Sequence, residues 1–141
     1  MAKTIRIEVV SSEKSLYSGE AALVVAPGEA GELGILPGHA PLLARIKPGV
    51  LKIVAPEGGE EFIYVSGGVL EAQPDKITVL ADVAERGDAL DEARAEEARR
   101  AAAEKIQRGG AGMDYAAAQA ELAQAVAQLQ VIQKLRRKTR G

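Results

Sequence analysis

The chain has 141 residues and a mass of 14.8 kDa, enough for one ordinary domain or two small ones and too little for an enzyme of several lobes. Hydrophobic residues make up 47% and charged residues 27%, which excludes a disordered or fibrous chain, and a net charge of −2 points to no partner. With no cysteine and a single histidine, disulfides, thiolate nucleophiles, Cys-based zinc sites and chemistry on a histidine pair are excluded, and aromatics at 3% leave burial to aliphatic side chains and alanine.

From the amino terminus the pattern has period 2. Ile5, Ile7 and Val9 alternate with Thr4, Arg6 and Glu8, without the apolar core of a secretory signal. The apolar run Ala21 to Ala26 is far shorter than the roughly 20 residues that span a bilayer. These features predict a soluble protein of a reducing, cytosolic compartment. Segments 22–26, 42–47, 50–55, 61–66 and 69–73 are rich in Val and Ile, and Ile77, Val79 and Ala81 alternate with Lys76, Thr78 and Leu80. Pro27-Gly28, Pro37-Gly38, Pro48-Gly49, Gly58-Gly59 and Gly67-Gly68 punctuate them as turns. Many short strands with frequent turns predict an antiparallel β-sandwich or barrel.

At Arg86-Gly87-Asp88 the composition changes. All six prolines and eleven of fifteen glycines lie at or before Gly87, whereas fifteen of the fifty residues from Ala89 to Lys138 are alanine. Residues 1–87 carry net charge −4 and the remainder +2. The reading is a β-domain over 1–87 and a helical segment over 88–141. Asp88 is expected to cap a first helix, with Asp91 and Glu92 in its opening turn, and Gly109-Gly110 to stop it. Asp114 is expected to cap a second, where Leu122, Val126, Leu129, Ile132 and Leu135 recur every three or four residues. The Gly-rich link between them predicts an antiparallel hairpin with facing stripes of Ala95, Ala98 and Ala102 against Ala118 and Ala125. Each alanine buries little, so this arm should be marginal alone and depend on what it docks against.

No catalytic arrangement emerges, and the chain reads as a non-enzyme without cofactor or metal. His39, between Gly38 and Pro41, reads as a turn residue that packs or meets a partner. Glu57, Glu60 and Glu61 read as a solvated hairpin loop. Walker A and Gly-x-Gly-x-x-Gly patterns are absent. The basic cluster Lys134, Arg136, Arg137, Lys138 and Arg140 either complements the end of a helix dipole or docks on an acidic protein surface. No aromatic interleaves with these charges, so nucleic acid is not an expected partner.

Gly31-Glu32-Leu33-Gly34-Ile35-Leu36-Pro37-Gly38-His39-Ala40-Pro41-Leu42-Leu43, with Phe62 to Gly68, Val79-Leu80-Ala81-Asp82 and Leu90-Asp91-Glu92-Ala93-Arg94-Ala95, closely resembles the epsilon subunit of bacterial F-type ATP synthases, in order over nearly the whole chain. The resemblance implies a non-catalytic rotor component on the cytoplasmic face of the bacterial plasma (inner) membrane, touching the membrane only through the complex. Its sandwich would bind the gamma subunit and the ring of c subunits, with Glu32, Pro37, Gly38 and His39 facing the ring. Its hairpin would pack on the sandwich in one state and extend in another into the alpha/beta subunits of the catalytic head, blocking ATP hydrolysis with help from the basic tail. Leu90, Asp91 and Arg94 match a motif that in some members helps bind ATP and lock the hairpin down. Those members use basic side chains at positions matching Gln124 and Gln128, and neutral amides leave phosphate charge uncompensated, so any regulatory ATP should bind weakly. The alternative reading is a self-contained sandwich binding ATP or another small ligand, with a helical oligomerisation handle.

Overall fold

The computed structural model describes residues 3–12 and 14–140, except the side chains of 138–140. Strands β1 (Ile5–Ser11) and β2 (Ser15–Ala21) form a hairpin in which Ile5, Ile7 and Val9 point inward. Next come β3 (Leu23–Gly28), β4 (Gly31–Ile35), β5 (Leu42–Ile46), β6 (Gly49–Val54), β7 (Glu60–Val65), β8 (Gly68–Ala72), β9 (Lys76–Ala81) and β10 (Ala84–Arg86). They join in the order β10-β7-β6-β3-β5-β8-β9-β1-β2, with β4 on β3. β10 also lies against β1 and β2, bringing the ends of the path together as a closed sandwich. All pairings are antiparallel except β1 with β9, which lie far apart in sequence and are joined by no hairpin turn. The core between the layers includes Ile5, Ile7, Leu51, Ile53, Ile63, Leu70, Ile77 and Val79, all essentially inaccessible.

Three strands depart from the expected pattern. β2, Ser-Leu-Tyr-Ser-Gly-Glu-Ala, closes the sheet path and packs Leu16 and Tyr17 onto the core, so it needs few apolar residues. β4 takes five residues of the Gly31 to Leu43 segment, and β10 only three. Pro27-Gly28 is not a turn but the end of β3. Gly28 pairs with Gly31, so Glu29-Ala30 make the turn. Pro27 is tolerated because it falls between the last β6 pair, Val25↔Lys52, and the single β5 pair, Gly28↔Ile46, while its carbonyl accepts from the Lys47 N–H at 2.9 Å.

A 3-10 turn, Gly87–Ala89, leads into α1 (Glu92–Arg108) and then α2 (Tyr115–Arg140). Asp88 lies in the 3-10 turn, and the extended backbone of Leu90 separates it from the helix. The cap is Asp91, whose carboxylate accepts from the Arg94 N–H at 3.2 Å. Gly109 ends α1 with φ +59°, and the Asp114 carboxylate caps α2 by accepting from the Ala117 N–H at 3.0 Å.

The layers are sheet, α2, α1. α2 packs on β6 and β7 along one side and on α1 along the other. Toward the sheet it buries Ala127 and Val131, with Leu135 half-buried. Most of the stripe expected to form its apolar face, Leu122, Val126, Leu129 and Ile132, lies toward the other side, where Ala118 and Ala125 are buried and Val126 is exposed; its last member, Leu135, meets the sheet. In α1 the buried stripe is Ala95 and Ala102, and Ala98 is exposed because 300° of rotation from Ala95 carries it off that line.

Candidate functional site

Three surfaces carry features beyond folding. The first is the loop from Leu36 to Pro41. Gly38 turns it with φ +83° and donates its N–H to the Pro74 carbonyl at 2.8 Å, and the His39 N–H donates to the Leu36 carbonyl at 3.1 Å. His39 Nδ1 lies 2.7 Å from the Ala40 carbonyl, so that nitrogen carries the proton and donates. Pro37 and His39 are half-buried, and Gly38 and Leu36 are exposed. The loop is a held projection, not a pocket. Glu32 does not join it. It lies on β4 opposite Pro27, with roughly 10 Å of strand between it and Ile35 before the loop begins.

The second surface is the seam between sheet and hairpin. Phe62, Ile63, Tyr64 and Val65 are all buried because β7 is covered on both faces: Ile63 and Val65 enter the sandwich core, while Phe62 and Tyr64 meet Ala127 and Val131. Val50, Leu90 and Leu135 complete this cluster. Burial raises the Tyr64 phenol pKa above its usual value, opposed in part by a hydrogen bond to Gln128. Gly87 is buried directly beneath the helix, where a Cβ would come within 2.8 Å of Val131 Cγ1 and would also collide with Leu135. It is a close-approach position in the packing rather than a free joint.

The seam also fixes what the motif and the basic cluster do in this state. Leu90 packs into it, the Asp91 carboxylate is engaged as a helix cap, and Arg94 is exposed. Gln128 is turned to Tyr64, and Gln124 is exposed. Arg136 pairs with Glu92, tying α2 to the first turn of α1. Lys134 and Arg137 line a groove of about 540 Å³ against the sandwich, with Glu32 on its other wall. The side chains of Lys138 and Arg140 lie outside the described residues.

The third surface was not anticipated from the sequence. The outer face of β5, β8, β9 and β1 carries Leu43 at 70% and Leu80 at 56% exposure, among the most exposed large apolar residues described. Register places Val10, Leu80, Val69 and Arg45 in one cross-strand row, and Leu43 in the next row of the same face with Glu71, Thr78 and Glu8. The signal was present: Leu80 occupies a polar-phase position of an otherwise regular alternation.

A sandwich with two exposed leucines on one outer face, a braced loop and a helical hairpin packed on its other flank defines a two-part β-plus-α chain. Models of the ATP synthase delta/epsilon chain match it in two consecutive parts, the beta-sandwich domain over residues 4–87 and the long alpha-helix domain over 88–133. The chain belongs to the ATP synthase delta/epsilon chain family. It is 57% identical over 139 residues to the ATP synthase epsilon chain of Herminiimonas arsenicoxydans, covering 98% of this chain and 99% of the relative. Identity to the ATP synthase epsilon chain of Janthinobacterium sp. (strain Marseille) is 55%, with the same coverage. Its fold is shared with a chain of the Euglena gracilis mitochondrial ATP synthase structure of OSCP, F1 and c-ring, at TM-score 0.70 and 19% identity over 96% of this chain and 81% of that one. A chain of the Tetrahymena thermophila mitochondrial ATP synthase central stalk and c-ring matches at TM-score 0.57 and 14% identity, over 92% of this chain and 97% of that one.

No helix among the described residues is long and apolar enough to cross a membrane.

Proposed function

We propose that the chain is a non-catalytic central-stalk subunit of an F-type ATP synthase, peripheral to the cytoplasmic face of a bacterial plasma membrane, that transmits rotation and restrains ATP hydrolysis. The observation carrying this reading is the match of both parts, in order and over nearly full length, to ATP synthase epsilon chains. In this reading the open face around Leu43 and Leu80 meets the gamma subunit, and the loop Pro37-Gly38-His39, with Glu32 on the adjoining strand, meets the ring of c subunits. The hairpin is the regulatory arm. Released from the sandwich, it extends toward the alpha/beta head with Lys134, Arg136, Arg137, Lys138 and Arg140 at its tip.

The arm's attachment suits such a role. Its apolar contact with the sheet rests on one small cluster of Phe62, Tyr64, Val50 and Leu90 against Ala127, Val131 and Leu135. A change from 1:99 to 99:1 between docked and extended states needs only about 5.5 kcal/mol of differential binding. The test is ATP hydrolysis by the purified catalytic head with full-length chain or a chain ending at Gly87. The truncated chain is expected to copurify with gamma and to leave hydrolysis unrestrained; equal inhibition by both forms removes the arm from the mechanism.

Regulatory ATP belongs to this proposal only as a weak ligand. Asp91 caps a helix, and neither Gln124 nor Gln128 brings charge to a phosphate. Calorimetry with ATP is expected to show no tight site, and a micromolar Kd overturns that expectation. The same engagement of Asp91 and burial of Leu90 count against a self-contained ligand-binding module.

A further inference from the structure

We infer that Arg86 is a positioning residue that couples the seating of the hairpin to the far edge of the sandwich. β10 and β2 are the two ends of the sheet path, and among the described residues they lie against each other without a backbone ladder. Along that line the sandwich is closed by side chains. Register puts Arg86 opposite Ile63 and Tyr17 opposite Val9, and Glu61 stands two residues before Ile63 on β7, so all three are in phase with the core rather than with the outer face. They meet at the end of the core. The Arg86 guanidinium donates to the Glu61 carboxylate on β7 at 2.8 Å and to the Leu16 carbonyl on β2 at 3.5 Å, and it lies 5.7 Å from the centre of the Tyr17 ring. Tyr17 itself packs on the core. Burial raises the Tyr17 phenol pKa, Glu61 adds to the rise and Arg86 opposes it, as groups sharing one site do.

Arg86 is also the last strand residue before Gly87, and Gly87 has no slack. It is buried under α2, where a Cβ would come within 2.8 Å of Val131 Cγ1 and 3.1 Å of the Phe62 carbonyl. Its own carbonyl accepts from the Leu90 N–H at 3.2 Å, which leads Leu90 into the apolar seam. A displacement of Gly87 by about 1 Å either drives the backbone into Val131 or opens a gap beneath it, and a gap of that size already forfeits a quarter to a half of the dispersion attraction there. Holding Arg86 therefore sets the height at which α2 docks. An exposed ion pair alone stabilises little. The guanidinium here adds a stacked ring and a carbonyl on a third strand, and it stands next to the glycine on which the helix rests. Such coupling is reciprocal: loosening Arg86 from β2 eases the hairpin off, and lifting the hairpin frees Arg86. The inference rests on the docked packing and not on the stalk reading, so its failure leaves that reading untouched.

The experiment is amide hydrogen exchange on the full-length chain, with substitutions on opposite sides of the contact. Tyr17→Leu removes the ring from β2 while leaving an apolar side chain on the core, and Tyr17 is no member of the cluster under α2. Arg86→Gln removes the cation. Each is expected to speed exchange at Val131 to Leu135 about threefold to tenfold, with rates at Ile77 and Val79 in the core within about twofold of the parent. The double variant should be no faster at Val131 to Leu135 than Arg86→Gln alone, because both changes break one chain of contacts. Arg86→Lys keeps a cation over the ring and beside Glu61, and it is expected to recover at least about half of the effect on a logarithmic scale. Parent rates at Val131 to Leu135 in Tyr17→Leu, additive effects in the double variant, Arg86→Lys as fast as Arg86→Gln, or a uniform rise that includes Ile77 and Val79 each overturn the proposal. In any of those cases Arg86 only covers the end of the core.

Discussion

Gly87 shows how a single residue can hold two structures together. Its position at the change of composition suggests a flexible joint, yet its φ lies outside the left-handed region and its hydrogen atoms face Val131, Leu135 and the Phe62 carbonyl, which a Cβ would approach to 3.1 Å. The backbone therefore tolerates alanine, and what does not is the helix above. Gly87→Ala is expected to leave the sandwich folded and lift α2, at the roughly 1–3 kcal/mol typical of overpacking, or about fivefold to 150-fold in the docking equilibrium. Hydrogen exchange at Val131 to Leu135 measures it: rates within twofold of the parent would show that the side chains yield and that Gly87 does not control docking. The sequence could mark Gly87 as a boundary but not as a contact, because its neighbours are about 25 residues or more away along the chain and no local pattern encodes them.

At the scale of elements, legibility depended on how many faces each element buries. β1 and β9 bury one face, and strict alternation identifies the core side chains Ile5, Ile7, Ile77 and Val79. β7 buries two, and its unbroken Phe-Ile-Tyr-Val run is the local sign that something covers the sandwich from outside. The chain's single Phe is therefore not in the sandwich core but under the hairpin, beside one of three Tyr. α2 also buries two sides, one on α1 and one on the sheet. Alanine on both spreads apolarity around the helix, so the large-residue stripe from Leu122 to Ile132 points to one face, while Ala127, Val131 and Leu135 carry the other. Local sequence marks the helix ends at Asp114 and Gly109 but does not choose between Asp88 and Asp91, which are equally suited until the extended backbone at Leu90 decides between them. Residues close together in a motif can also be parted by geometry: five residues of β4 put Glu32 beside the α2 groove and His39 beyond the strand's other end.

In the whole molecule large apolar side chains stand on the outside of the sandwich in two places, and α2 covers only one of them. The face of β6 and β7 is sealed by α2; that of β5, β8, β9 and β1 leaves Leu43 and Leu80 in solvent. Exposed leucines in one patch contribute little to folding and much to association, since each gains burial only when a partner arrives. If gamma is that partner, two leucines at about 1.5–3 kcal/mol each account for at least a tenfold change in affinity. Leu43→Glu with Leu80→Glu should therefore leave thermal unfolding of the free chain nearly unchanged and weaken assembly with gamma by at least about tenfold, and by more where the new carboxylates are buried unpaired. Hairpin docking is the internal control: exchange at Val131 to Leu135 should match the parent because the substitutions lie on the other face. Assembly at full affinity would assign gamma to a different surface, and loss of assembly together with loss of the folded state would mean that these leucines serve the sandwich itself. Weakened assembly with an intact fold is the expected outcome, because strands of the rigid core offer a partner a surface that does not move when the arm does.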